Sequence, residues 1–251
     1  MVRLRVAHLQ AACSLALTCL AVLVNQSAQA EPRAIIELFT SQGCSSCPPA
    51  DKLIAEYAQD PSVIALSLAV DYWDYLGWKD TLALSGHSNR QRAYAKARGD
   101  RQVYTPQAVI DGAVHALGSD KTAIERAIRQ VRDQQIPLTL SVTMARTGDA
   151  MKVTVPSSEH VKAQAEVWLC PVTQSVPVSI QRGENGGHTI TYTNVVRRWI
   201  KLGDWTGKEE IFTMPLKDIQ TGNIDSAVVL VQSGAASAPK VMLGAAQIGI
   251  R

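Results

Sequence analysis

The stretch Ala34-Ile-Ile-Glu-Leu-Phe-Thr40, Ser41-Gln-Gly43, Cys44-Ser-Ser-Cys-Pro-Pro-Ala-Asp51 decides how this chain is read. Its first seven residues form a nearly continuous apolar run, as expected of a strand buried on both faces. Ser41-Gln42-Gly43 is turn chemistry. Leu53, Ile54 and Tyr57 then recur at helical spacing. A helix is therefore expected over 45–59, with Pro48 and Pro49 in its first turn, where a missing N–H costs least.

A cysteine pair at a helix start is a chemical device. Unpaired N–H groups and the positive end of the helix dipole point outward there and favour a thiolate. Free cysteine ionises near 8.5, and such sites lower this to anywhere from about 3.5 to 7.5. Cys44 is the expected nucleophile, within reach of solvent. Cys47, one turn on and more buried, is placed to resolve a mixed disulfide by attacking Cys44.

Outward from this centre, the run 62–70 (Ser-Val-Ile-Ala-Leu-Ser-Leu-Ala-Val) is a second buried strand, completing a strand–helix–strand unit with a right-handed crossover. The stretch 71–86 crowds Tyr72, Trp73, Tyr75 and Trp78 into an expected loop with a short helix, and 88–98 reads as a second helix. In 103–110 a strand is interrupted by Pro106, which cannot donate a ladder hydrogen bond. Asp111-Gly112 signals a hairpin, and Ser119 or Asp120 caps a helix bearing Ala123, Ile124, Ala127, Ile128 and Val131. From Leu138 the character changes to short alternating runs at 138–146, 150–156, 164–172, 176–181, 189–200, 208–214, 225–233 and 239–250. That spacing predicts an antiparallel sandwich or partial barrel.

The ordering strand, Cys-x-x-Cys helix, strand, helix, Thr105-Pro106, strand, Asp111-Gly112, strand, helix resembles the thioredoxin-like fold in its compact glutaredoxin-type arrangement. More narrowly, 37–51 together with Tyr104-Thr-Pro-Gln107, Asp111-Gly112, Arg182-Gly-Glu-Asn185 and Asn194-Val-Val-Arg197 resembles the exported bacterial family known as domain of unknown function 1223. The fold class this implies is an α/β thioredoxin-like domain at 31–136, followed by a β-rich, sandwich-like domain at 137–251. By resemblance Cys44 takes the nucleophile's place, Cys47 the resolving place and Pro106 the cis-proline place. Glu37 resembles the buried acid that moves a proton at the resolving cysteine. Thr105, Tyr104 and Trp73 are the candidate substrate contacts beside the thiols. Gly43 stands where thioredoxins carry Trp. The function expected is thiol–disulfide exchange with a protein or small-thiol redox partner, with no cofactor.

Other readings stay open. The pair alone also fits a structural disulfide in a non-catalytic binding or structural protein, or half of a copper or zinc carrier completed by His87 or His115. Cys170, within Glu166-Val-Trp-Leu-Cys170, reads as a buried apolar residue, and Asp71 and Asp74 as candidates for a groove near the thiols. The stretch 182–187 (Arg-Gly-Glu-Asn-Gly-Gly) reads first as a turn, then as a polar wall facing the other domain.

Residues 1–30 carry Arg3 and Arg5, an apolar run over 11–24, and Ala28 and Ala30 ahead of an expected cleavage after Ala30. A run of that length is short of the roughly 20 residues a membrane helix needs, so no stable membrane span is expected after cleavage. The mature protein is then expected to be periplasmic or secreted, where disulfides persist. With the leader go Cys13 and Cys19, leaving Cys44, Cys47 and Cys170, which is no disulfide scaffold. The chain's 25 basic residues lose two, leaving 23 against 22 acidic over 221 positions, a balance that gives nucleic acid no electrostatic hold.

Overall fold

The computed structural model describes residues 31–134, 138–161 and 163–250 of the 251-residue chain. The expected leader at 1–30 lies outside these residues, as does 135–137, where the boundary between 31–136 and 137–251 is expected.

Strand β1 (Ala34–Thr40) is buried at every position. It pairs in parallel with β2 (Val63–Ala69) and antiparallel with β3 (Gln107–Ile110), which turns through Asp111-Gly112 into β4 (Val114–Leu117). Asp111 and Gly112 both take positive φ, +48° and +69°, and a side chain at Gly112 would strike the Lys240 carbonyl. Helix α1 (Pro48–Tyr57) links β1 to β2, and α3 (Lys121–Asp133) begins at Asp120, whose carboxylate accepts the Ala123 N–H at 2.9 Å. The even residues of β1 face these two helices: Ala34, Ile36 and Leu38 pack with Ala50, Leu53, Ile54, Ile124 and Ile128. Its odd residues, Ile35 and Phe39, pack on the opposite face with Tyr94 of α2 (Ser85–Arg98). The interior of this half is thus decided by strand parity.

The expected fold class, a thioredoxin-like α/β domain in glutaredoxin-type arrangement followed by a β-rich sandwich, is overturned. The strands of both halves build one mixed nine-stranded sheet. Its order is β12 (Ala238–Gly249), β11 (Ser226–Ala235), β7 (Ala165–Ser179), β8 (Thr189–Val196), β2, β1, β3, β4, with β9 (Ile200–Trp205) also on β7. Strand outweighs helix, and the fourth helix, α4 (Leu216–Ile219), is a single turn. The physical reason is the free edge of β2: its unpaired backbone groups need partners, and β8 supplies them. That joint is narrow, Ser67 opposite Val195, and side chains reinforce it. Ser67 donates to the Thr193 carbonyl at 2.6 Å, and Asn194 donates to that of Ala65 at 2.9 Å.

A smaller sheet, β10 (Glu210–Pro215), β6 (Ala150–Val155) and β5 (Thr143–Thr147), closes a second core over β7, β11 and β12. The expected runs at 164–172 and 176–181 are one strand, β7, and 189–200 divides into β8 and β9. The core around Phe39 is shared by both halves, since Cys170, Val228, Leu230 and Met242 pack there beside Ile35 and Tyr94.

Candidate functional site

Beyond β1 the chain turns through Ser41, Gln42 and Gly43, with the Cys44 N–H donating to the Ser41 carbonyl at 3.2 Å. Cys44 and Cys47 are joined by a disulfide, their Cα atoms 5.4 Å apart. Cys47 is the residue that caps α1, its carbonyl receiving the N–H groups of Ala50 and Asp51, and Pro48 and Pro49 occupy the first turn. The helix therefore starts later than 45, and the pair sits in the turn that leads into it. Both cysteines are buried, Cys44 at 1% exposure and Cys47 at 0%, while Ser45 and Ser46 are exposed. The expectation of a solvent-reachable Cys44 is corrected: in the oxidised protein both cysteines are buried.

Several expected contacts do converge. Ser46 Oγ lies 3.4 Å from Cys44 Sγ and 3.5 Å from the Thr105 carbonyl oxygen. The Thr105–Pro106 peptide bond is cis. Trp73 donates from its indole to Thr105 Oγ1 at 2.8 Å. A Cβ added at Gly43 would lie 3.0 Å from the Trp73 Cβ and 3.4 Å from its carbonyl oxygen, so the chain at Trp73 takes the space a larger residue before Cys44 would need. Pro106 packs toward the start of α1 around Gly118, where an added Cβ would press on Leu38, Pro106 and Ala50. Tyr104 departs from the group, its phenol meeting His115 Nδ1 at 2.9 Å.

Glu37 is not beside the disulfide. As an odd residue of β1 it faces α2, where Arg90 binds both its oxygens at 2.6 and 3.2 Å and Tyr94 donates to it at 2.5 Å. Gln232 of β11 closes this network by accepting from Arg90 at 2.8 Å and donating to Tyr94 Oη at 2.8 Å. Asp71 and Asp74 order their own loop: Asp71 accepts from Ser88 Oγ, and Asp74 accepts the Asp80 N–H. Neither histidine approaches the cysteines. Buried His87 contacts the Ala69 carbonyl through Nδ1, and burial depresses its pKa to about 4, while His115 turns to Tyr104 and Asp100. Cys170 is buried, and that burial pushes its thiol up. Among the described residues no group of three or more His, Cys, Asp or Glu is arranged to hold a metal.

Two further features complete the site, the first on the turn already read as a polar wall and the second absent from the sequence reading. First, the turn 182–187 lies directly on the cysteine turn. Asn185 donates from Nδ2 to the carbonyls of Gln42 and Cys44, both at 2.9 Å, and the Glu184 carboxylate accepts the Ser45 N–H at 3.2 Å. Second, a buried polar cluster lies under α1. Thr40 donates to Asp51 at 2.8 Å, Asp80 accepts the Gln42 N–H at 2.8 Å, and Tyr192 of β8 packs nearby. Burial raises the Asp51 pKa to about 7, and burial also raises that of Asp80. The signal for the second feature is visible in the chain: Asp51 follows Cys47 by four residues on a face otherwise made of Ala50, Leu53 and Ile54.

Residues 35–232 match a family described as "Protein of unknown function (DUF1223)". The solved structure of protein AGR_C_4864 from Agrobacterium tumefaciens is 31% identical, covers 88% of this chain and 96% of its own, and superposes with a TM-score of 0.78. HBP35 of Porphyromonas gingivalis, 11% identical, covers 88% of this chain and 76% of its own with a TM-score of 0.54, a likeness of fold alone. No curated protein matches the chain.

Proposed function

The chain belongs to the DUF1223 family, and we propose that it carries out thiol–disulfide exchange in the cell envelope. One observation carries this reading: the Cys44–Cys47 disulfide closes immediately before the first turn of α1. There helix N–H groups and the helix dipole favour an anionic sulfur at Cys44 once the bond opens. A partner thiolate attacks Cys44 Sγ, the Cys44–Cys47 bond breaks, and its electron pair leaves on Cys47. A second thiolate of the partner then attacks the mixed disulfide, so the partner departs as a disulfide and the pair is left reduced. The envelope location rests on the leader-like residues 1–30. Trp73 and Thr105, beside Ser46, are the side chains an incoming partner meets, and the buried Cys44 must become exposed before it is attacked.

A second reading has its own observation. Full burial of both sulfurs is what a permanent staple of the 41–47 turn looks like, with no catalytic turnover. The reduction potential of the folded protein, together with turnover of a model disulfide, separates the two. Exchange predicts loss of turnover in Cys44→Ser and a trapped mixed disulfide in Cys47→Ser. A pair that glutathione leaves oxidised, with equal background rates in wild type and both variants, supports the staple.

A further inference from the structure

The cluster beneath the disulfide holds an acid with no assigned task. Asp51 is 2% exposed, and its Oδ1 accepts from Thr40 Oγ1 at 2.8 Å, whereas Oδ2 is buried and has no hydrogen-bond partner. Cys47, the N-cap of α1, already has helical backbone angles and stands four positions before Asp51, a spacing that sets Cβ atoms roughly 5–6 Å apart on one face. Among the described residues, the side chains that act on Asp51 are a hydroxyl and a second acid, with no cation. β1 presents the neutral Thr40, the 77–84 turn presents Asp80, and β8 presents Tyr192, whose hydroxyl is also buried and unpartnered. β2 contributes the buried side chains of Ala65, Ser67 and Ala69. Burial, with Asp80 adding to it and Thr40 opposing it, therefore keeps the Asp51 proton in place to about pH 7.

We propose that Asp51 is the proton carrier for Cys47, working through the carboxyl oxygen that Thr40 leaves free. The proposal rests on the exchange reading above. When a thiolate adds to Cys44 Sγ and the disulfide breaks, the electron pair stays on Cys47 Sγ, and the Asp51 carboxyl transfers its proton there. The products are a mixed disulfide at Cys44, a Cys47 thiol and an Asp51 carboxylate. In reverse, the carboxylate takes the Cys47 proton, the Cys47 thiolate attacks Cys44, and the thiolate of the partner is expelled. An acid held protonated near neutrality suits both directions.

The test is reduction of the oxidised full chain by excess dithiothreitol from pH 5 to 9, with each rate divided by the dithiothreitol thiolate concentration. Wild type is expected to lose about tenfold in this corrected rate as pH rises through about 7. Asp51→Asn is expected to be flat, at the wild-type high-pH level. Thr40→Val, which removes the bond that favours the carboxylate, shifts the inflection to higher pH. An inflection retained in Asp51→Asn overturns the proposal while leaving exchange standing. Should Asp51→Asn not fold, an unmoved inflection in Thr40→Val overturns it instead. A native wild-type disulfide that dithiothreitol leaves intact at every pH removes the exchange reading, and this proposal with it.

Discussion

Glu184 and Ser45, 139 positions apart in the chain, meet over the disulfide, where the Glu184 carboxylate accepts the Ser45 N–H at 3.2 Å. That N–H belongs to the turn leading into α1, among the donors a Cys44 thiolate would draw on. An anion already occupies one of those donors, and a like charge forming at Cys44 would be opposed by it.

Glu184→Gln should therefore ease ionisation of Cys44 in the reduced protein. A charge effect at an exposed helix start is worth about 0.3–1 kcal/mol, so alkylation of Cys44 at pH 7 is expected to speed up about two- to fivefold. The gain should shrink in high salt. An unchanged alkylation rate would mean that the carboxylate moves away once the pair is reduced.

Asn185 holds the turn 182–187 onto the Gln42 and Cys44 carbonyls with two bonds from one amide group. Asn185→Ala leaves those carbonyls without this donor, at a cost of about 1–3 kcal/mol in denaturant melts. It also loosens the cysteine turn. Reduction of the disulfide by glutathione should be faster than in wild type even at denaturant concentrations where both remain folded.

The Glu37–Arg90 pair is buried, and the Arg90 guanidinium stacks 4.3 Å from the Trp199 ring centre. Removing one member strands the other charge, so Glu37→Gln and Arg90→Leu are each expected to cost about 3–5 kcal/mol. The double change Glu37→Leu with Arg90→Leu should cost clearly less than the sum of the single changes. Because Glu37 faces away from α1, the disulfide of folded Glu37→Gln should be reduced within about twofold of the wild-type rate. A large change in that rate would return Glu37 to the redox machinery.

Asp111 accepts the Ile35 N–H at 2.6 Å through one oxygen, while the other is buried without a partner. Burial raises its pKa to about 7 against the opposing pull of that bond. In the unfolded chain the group loses its proton near pH 4, whereas in the folded chain it keeps it until about 7. The resulting stability is fully present below about pH 4, declines as pH rises toward 7, and is gone above that. Asn at 111 still accepts the Ile35 N–H and tolerates the positive φ. Less the cost of a newly buried N–H, Asp111→Asn should be more stable than wild type at pH 8 by about 1–2 kcal/mol. The advantage should vanish or reverse at pH 4, as urea midpoints at the two pH values would show.

Much of the local structure was legible. β1, β2 and the stripe of α3 follow from apolar spacing, and the Asp111-Gly112 hairpin follows from turn chemistry, because these depend on neighbours in the chain. Trp73 and Thr105 were legible as candidates, whereas their meeting with Ser46 was not. Glu37 and Thr40 show where local reading stops. Each lies on the strand leading to the cysteines and each is polar, but parity sends Glu37 to Arg90 and Thr40 to Asp51.

By itself, the sequence determined β1, β2 and α3, the cysteine pair at the mouth of a helix, and which side chains of β1 shared a face. Only the tertiary structure decided that β8 would complete the edge of β2 and join strands of two expected domains in one sheet, and that Glu184 and Asn185 would bond to the cysteine turn. Apolar periodicity tells a strand which face to bury, yet nothing local names the strand that will satisfy its backbone.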